Sequence, residues 1–218
     1  MNPFRIGGDV VHLMSFYFLL SAIRRSKNIV GISTRTQELI FVVFVCRYVD
    51  LAWVWTIPYN VVMKILFLGT TLYVVVTLRS HRREDDHELD NFSRLSLIVP
   101  CCVVSAVFVW WSISIPNVFD FLWTFSICLE AVAVLPQLFL LQKHGSVENL
   151  TSHYVAMLGL YRALYLINWS YRWFLYHEWT PWIVWISGMV QIVLYMDFFF
   201  HYFRSKRNGI DREVLLPA

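Results

Sequence analysis

Charge is scarce in this sequence. Asp, Glu, Lys and Arg supply only 15% of its 218 residues, while 58% are hydrophobic and the mean hydropathy is +0.55. A soluble domain carries about a quarter charged residues, so a water-exposed globular surface is excluded. Cysteine is scarce too: Cys46, Cys101, Cys102 and Cys128 all fall inside apolar stretches, which argues against a disulfide framework. There is no phosphate-binding glycine loop, no HExxH and no nucleophile elbow. His81 and His87 lack metal-ligand spacing with any cysteine. Neither an enzyme nor a metal or cofactor site is therefore expected. The sequons at Asn91, Asn149 and Asn168 fall in cytosolic or membrane positions, so no glycan is expected either.

What is present is apolar length. Stretches at 10–23, 39–57, 62–78, 95–112, 118–141, 154–175 and 181–203 each approach the ~20 residues that cross a bilayer. They predict seven transmembrane helices in an all-α integral membrane domain over 1–203, followed by a tail over 204–218. Basic residues mark the cytosolic side of such a protein. Arg24, Arg25, Lys27, Arg35, Arg79, Arg82, Arg83, Arg94, Lys143, Arg204, Lys206, Arg207 and Arg212 account for thirteen of the eighteen and all follow odd-numbered spans. The amino terminus is thus expected in the lumen and the carboxyl tail in the cytosol. This sidedness accounts for the net charge of +3, with no nucleic acid needed as a partner. The mixed-sign run 79–94 reads as a solvated loop.

The charges that do occur within spans are informative, because an Arg or Asp at mid-membrane costs ~2.5–3.5 kcal/mol on insertion scales. Arg47 and Asp50 stand three apart, a spacing that predicts one helix face and an ion pair. Tyr161, Tyr165, Asn168, Trp169 and Arg172 recur at three- and four-residue intervals, which makes one polar and aromatic stripe, with Arg162 beside it. Arg5, Asp9 and His12 lie on roughly one side of the first span, and Asp120, Trp123 and Glu130 belong to the fifth. A bundle enclosing several arginines predicts a polar cavity for an anionic ligand, since the guanidinium fork matches carboxylates and phosphates.

Two further features bear on architecture. Shifting the chain by 115 residues sets Thr36 on Thr151, Arg47 on Arg162 and Leu51 on Leu166, as expected for a parallel repeat of two three-helix bundles joined by a linking helix. In span five the Pro136-Gln137 pair predicts a kink.

Long segments of the chain also resemble a known family. "MNPFRIGGDVVHLMS", "RYVDL", "LWTFSICLEAVAVLPQLFLLQK", "GLYRALYLINWSYRWF", "LYMDFFFHYF" and the terminal "LPA" are similar to the ER lumen protein-retaining receptors, the KDEL/HDEL receptor family. The resemblance implies a fold like the PQ-loop transporters called SWEETs. It implies a receptor of the endoplasmic reticulum and cis-Golgi that binds the carboxyl-terminal tetrapeptide of escaped ER-resident proteins at acidic pH. It implies, further, that the receptor returns them through COPI retrograde transport. On this footing Arg47 takes the terminal carboxylate, Arg5 the Glu and Arg172 the Asp of the signal. Asp50 and Trp123 meet its first, cationic position, where Asp120 replaces the family's Glu, while Tyr165, Asn168 and Trp169 line the same cavity. His12 is the implied pH sensor, Glu130 and Tyr161 form the implied lock beside Arg162, and Asp197 is implied in trafficking. The family's tail lysines are represented by Lys206 alone, flanked by Arg204 and Arg207. A PQ-loop-type transporter of an acidic small molecule is the competing reading, because such a carrier would use the same arginines.

Overall fold

The computed structural model describes residues 2–25, 31–52, 58–81, 90, 92–144, 146–207 and 213–215. Most of the loop 79–94, the side chains of Lys206 and Arg207, and all of Arg212 lie outside the described set. The chain is built from helices: α1 (Pro3–Arg25), α2 (Thr34–Arg47), α3 (Pro58–His81), α4 (Leu95–Ser112), α5 (Val118–Val132), α6 (Leu135–His144), α7 (Asn149–Tyr176) and α8 (Trp182–Arg207). A 3-10 turn over Val49–Ala52 follows α2. Two short strands, β1 (Ser146–Glu148) and β2 (Glu213–Leu215), pair antiparallel with Val147 opposite Val214.

Among the described residues, five spans are long and apolar enough to cross a membrane: α1, α3, α4, α5 with α6, and α8. The other two sequence-predicted spans depart from that standard for physical reasons. α2 has 14 residues, about 21 Å at the helical rise, because the chain leaves the α-helix after Arg47 instead of continuing to 57. α7 has 28 residues, ample length, but its polar stripe lowers its apolarity.

The distribution of side chains is inverted relative to a soluble protein. Large apolar groups such as Val76, Trp110, Trp111, Val193 and Phe200 face outward, whereas Asp9, His12, Glu130, Gln137, Arg162 and Asn168 are buried. Lipid tails are as apolar as a protein core, so only polar groups need internal partners.

Helix ends are set locally. Ser33 caps α2 by accepting from the Thr36 amide at 3.1 Å, and Asn117 with Asp120 forms a capping box at the start of α5. Between α5 and α6 the helix breaks at Ala133–Val134. Pro136 causes this, since its ring lacks an N–H and crowds the carbonyl four residues earlier, that of Val132. The interruption lets Gln137 tie α6 to the start of α2 through three hydrogen bonds. Its amide donates to Thr36 Oγ1 at 2.9 Å, its side chain donates to the Gly31 carbonyl at 2.7 Å, and it accepts from the Ser33 amide at 2.9 Å.

In packing, α1 runs along α7, α2 lies against α3 and α5, α4 against α5, and α8 against α5 and α7. Gly8 allows the α1–α7 approach: a Cβ there would meet the Tyr165 ring at 2.9 Å. That closeness brings the neighbouring Asp9 to the Tyr165 hydroxyl.

Candidate functional site

A cavity of about 390 Å³ opens between α1, α2, α3, α5 and α7. α1 contributes Arg5, Asp9 and His12, which are three and four residues apart and so share a face. α7 contributes Tyr161, Arg162, Tyr165, Asn168, Trp169 and Arg172, the whole stripe read from the sequence. Arg47 enters from the last residue of α2 and Glu130 from α5.

Among the described residues, the lining carries five cationic side chains, Arg5, Arg47, Lys64, Arg162 and Arg172, against two carboxylates, Asp9 and Glu130. Each carboxylate is held by several partners. Asp9 accepts from the Tyr59 hydroxyl at 2.7 Å and from the Tyr165 hydroxyl, which joins α1, α3 and α7. Glu130 pairs with both Arg47 and Arg162 and accepts from the Tyr161 hydroxyl at 3.0 Å. Its backbone carbonyl is fixed by Gln191 of α8 at 3.0 Å. Arg162 also lies over the Tyr161 ring, 4.9 Å from its centroid.

Arg47 has capacity to spare, as does Arg162 through its buried Nε. The Nε of Arg47 donates to Ser126 Oγ at 3.1 Å and Nη1 faces Glu130, but Nη2 is buried with no hydrogen-bond partner among the described residues. A buried guanidinium nitrogen left open beside a cavity is a place for an incoming oxygen anion. His12 sits deeper, buried, with its ring stacked on Tyr161 at 4.2 Å and 3° and on Phe67 at 4.6 Å.

The expected Arg47–Asp50 ion pair does not form. Because α2 ends at Arg47, Asp50 lies in the 3-10 turn, off the Arg47 face, and pairs with Lys64 of α3 at 2.6 Å, while Arg47 turns to Glu130. Asp50, Asp120 and Trp123 are not among the cavity-lining side chains. The Asp120 carboxylate accepts from the Asn117 amide at 3.3 Å in the capping box, and Trp123 is 38% exposed. Asp197 is exposed on α8, 3.7 Å from His201, and Arg204 is exposed near the end of the same helix, both away from the cavity.

The contribution of α3 was missed in the sequence. Tyr59, Asn60, Met63, Lys64 and Phe67 line one wall, and Asn60 Oδ1 accepts from Arg5 at 2.7 Å. Their spacing of one, three and four residues marks one helical face, the signal that would have found them.

Comparison with known proteins bears on the whole chain. A sequence profile of the family described as ER lumen protein retaining receptor matches residues 28–172. A protein of Petunia hybrida named ER lumen protein-retaining receptor is 44% identical over 224 aligned positions, covering 100% of both chains. The ER lumen protein-retaining receptor of Plasmodium falciparum is 43% identical over 223, covering 100% of this chain and 98% of its own. Receptor A of Arabidopsis thaliana is 45% identical over 221, again covering 100% of each.

Proposed function

The chain belongs to the ER lumen protein-retaining receptor family, and from that premise we propose that it binds carboxyl-terminal KDEL/HDEL-type signals of escaped ER-resident proteins and returns them by COPI retrograde transport. Its relatives are named as receptors, not enzymes. The observation that carries the reading is the surplus of cationic over anionic side chains in the cavity, together with the open Arg47 nitrogen. A tetrapeptide ending in Asp-Glu-Leu brings three carboxylates, which this surplus complements.

In this proposal Arg47 receives the terminal carboxylate, Arg5 the Glu and Arg172 the Asp, and Tyr165, Asn168 and Trp169 form the walls. Asp50, Asp120 and Trp123 meet the first position, Asp50 after exchanging Lys64 for the ligand's cation. All seven spans, with α5 and α6 forming one, cross the membrane, the amino terminus is luminal, and the receptor cycles between the ER and cis-Golgi. The parallel repeat draws support from two facts. The pairing of α1 with α7 is mirrored by that of α2 with α5, and the repeat-related Arg47 and Arg162 converge on one carboxylate. Asp197 and the tail residues Arg204, Lys206 and Arg207 serve trafficking and coat recruitment.

His12 supplies the pH dependence in this account. Its protonation adds positive charge beside an anionic ligand, so binding strengthens as pH falls. Titrating a labelled HDEL peptide against wild type and His12→Ala between pH 5.5 and 7.5 tests this. The wild type is expected to lose about tenfold or more in affinity across the range and His12→Ala to stay flat; a variant with the wild-type profile removes His12 as the sensor.

A further inference from the structure

Outside the main cavity lies a vestibule of about 350 Å³, lined by Asn2, Arg5, Asn168, Arg172, Tyr176 and Glu178. It shares Arg5, Asn168 and Arg172 with the cavity itself, so a ligand reaching the inner arginines from this side passes Glu178. Glu178 is not idle there: its carboxylate forms an ion pair and hydrogen bond with the Arg172 guanidinium.

The backbone aims this carboxylate. α7 ends in a left-handed cap at His177, whose φ of 51° is the only positive value at a non-glycine residue among those described. The His177 amide donates to the Arg172 carbonyl, and the Glu178 amide follows at 3.4 Å, so the chain folds back over the residue that Glu178 engages. A side chain other than glycine in this region holds conformational strain, and such strain collects where a special geometry is needed. Glycine, which adopts this conformation freely, is absent from the position.

We propose that Glu178 is a tethered acidic competitor, a resident stand-in for a ligand carboxylate that occupies Arg172 until a peptide acid displaces it. The inference rests on the receptor reading and adds a selectivity element to it. A ligand with a carboxylate opposite Arg172 gains that contact but must first break the internal one. A ligand without it leaves the internal pair in place and gains nothing there. Glu178 thereby lowers the affinity of every ligand that uses Arg172 and slows its entry at the vestibule.

The test compares wild type, Glu178→Gln and Arg172→Ala/Glu178→Gln using peptides ending in HDEL and HNEL at acidic pH. Partly exposed ion pairs are weak, and their removal corresponds to about two- to fivefold in affinity. Glu178→Gln is therefore expected to bind HDEL two- to fivefold tighter than wild type does, with HNEL unchanged and with no gain in the double variant. A purely structural role for the loop would move both peptides equally. Equal gains for the two peptides, or an HDEL affinity that is unchanged or reduced, overturn the competitor while leaving the receptor reading intact. Failure of wild type to bind HDEL at all overturns the receptor reading and the competitor with it.

Discussion

Arg47→Ala is expected to weaken binding of an HDEL-ended peptide by roughly thirtyfold to a few thousandfold, the equivalent of about 2–5 kcal/mol for truncating one side of a desolvated charge pair. The size follows from where Arg47 sits. It enters the cavity from the end of α2, is anchored by Ser126 and Glu130, and keeps Nη2 without a partner among the described residues. The receptor should remain folded, because Glu130 retains Arg162 and the Tyr161 hydroxyl when Arg47 is removed. Arg47→Lys keeps the charge but not the planar fork, so it is expected to recover only part of the loss. Peptide titration against detergent-solubilised variants, with thermal unfolding as a folding control, measures this. A stable Arg47→Ala protein with affinity within threefold of wild type would remove Arg47 from the binding site.

Glu130→Gln has the opposite signature. Glu130 is the shared counter-charge of Arg47 and Arg162, and its side chain is only 8% exposed. Neutralising it leaves two arginines facing one another inside the bundle. Removing one partner from a buried ion pair destabilises by about 3–5 kcal/mol because the remaining charge stays desolvated. The variant is therefore expected to unfold at markedly lower temperature and to accumulate poorly in membranes. Pairing it with Arg162→Met, which removes one of the stranded charges, should restore much of the lost stability, and a fluorescence-detected melting series on the single and double variants checks both. Wild-type stability in Glu130→Gln would mean that the three groups do not form one electrostatic unit.

These two residues also show what was and was not legible in the sequence. The stripe from Tyr161 to Arg172 and the Arg5, Asp9, His12 face were readable because three- and four-residue spacing within an apolar helix has one geometric meaning. All of those side chains line the cavity. Arg47 was readable as a buried cation, but its partner was not. Spacing to Asp50 implied a neighbour on the same helix, yet the α-helix ends at Arg47 and the pairing passes to α5. Such long-range choices depend on where helices stop and how they dock, neither of which local periodicity encodes. Tyr59, Asn60 and Lys64 were lost for a related reason. They stand at the start of an otherwise apolar α3, and only the packed bundle turns them toward Asp9, Arg5 and Asp50.

The kink at Pro136 was foreseen, but its consequence was not. The break falls at Ala133–Val134, and Gln137, which the sequence offered only as half of a Pro-Gln pair, becomes the tie between α6 and the start of α2. Glu178 likewise carried no sequence signal, since its role depends on the left-handed turn at His177.

The most direct test of the central claim is equilibrium binding of a labelled HDEL-ended peptide to the purified receptor at pH 5.5 and 7.5, with the same peptide amidated at its carboxyl terminus as control. Binding at acidic pH that weakens at neutral pH and disappears on amidation is the predicted result, since a cationic cavity around Arg47 reads the free terminal carboxylate. Equal binding of the amidated peptide, or no binding at either pH, would contradict the account.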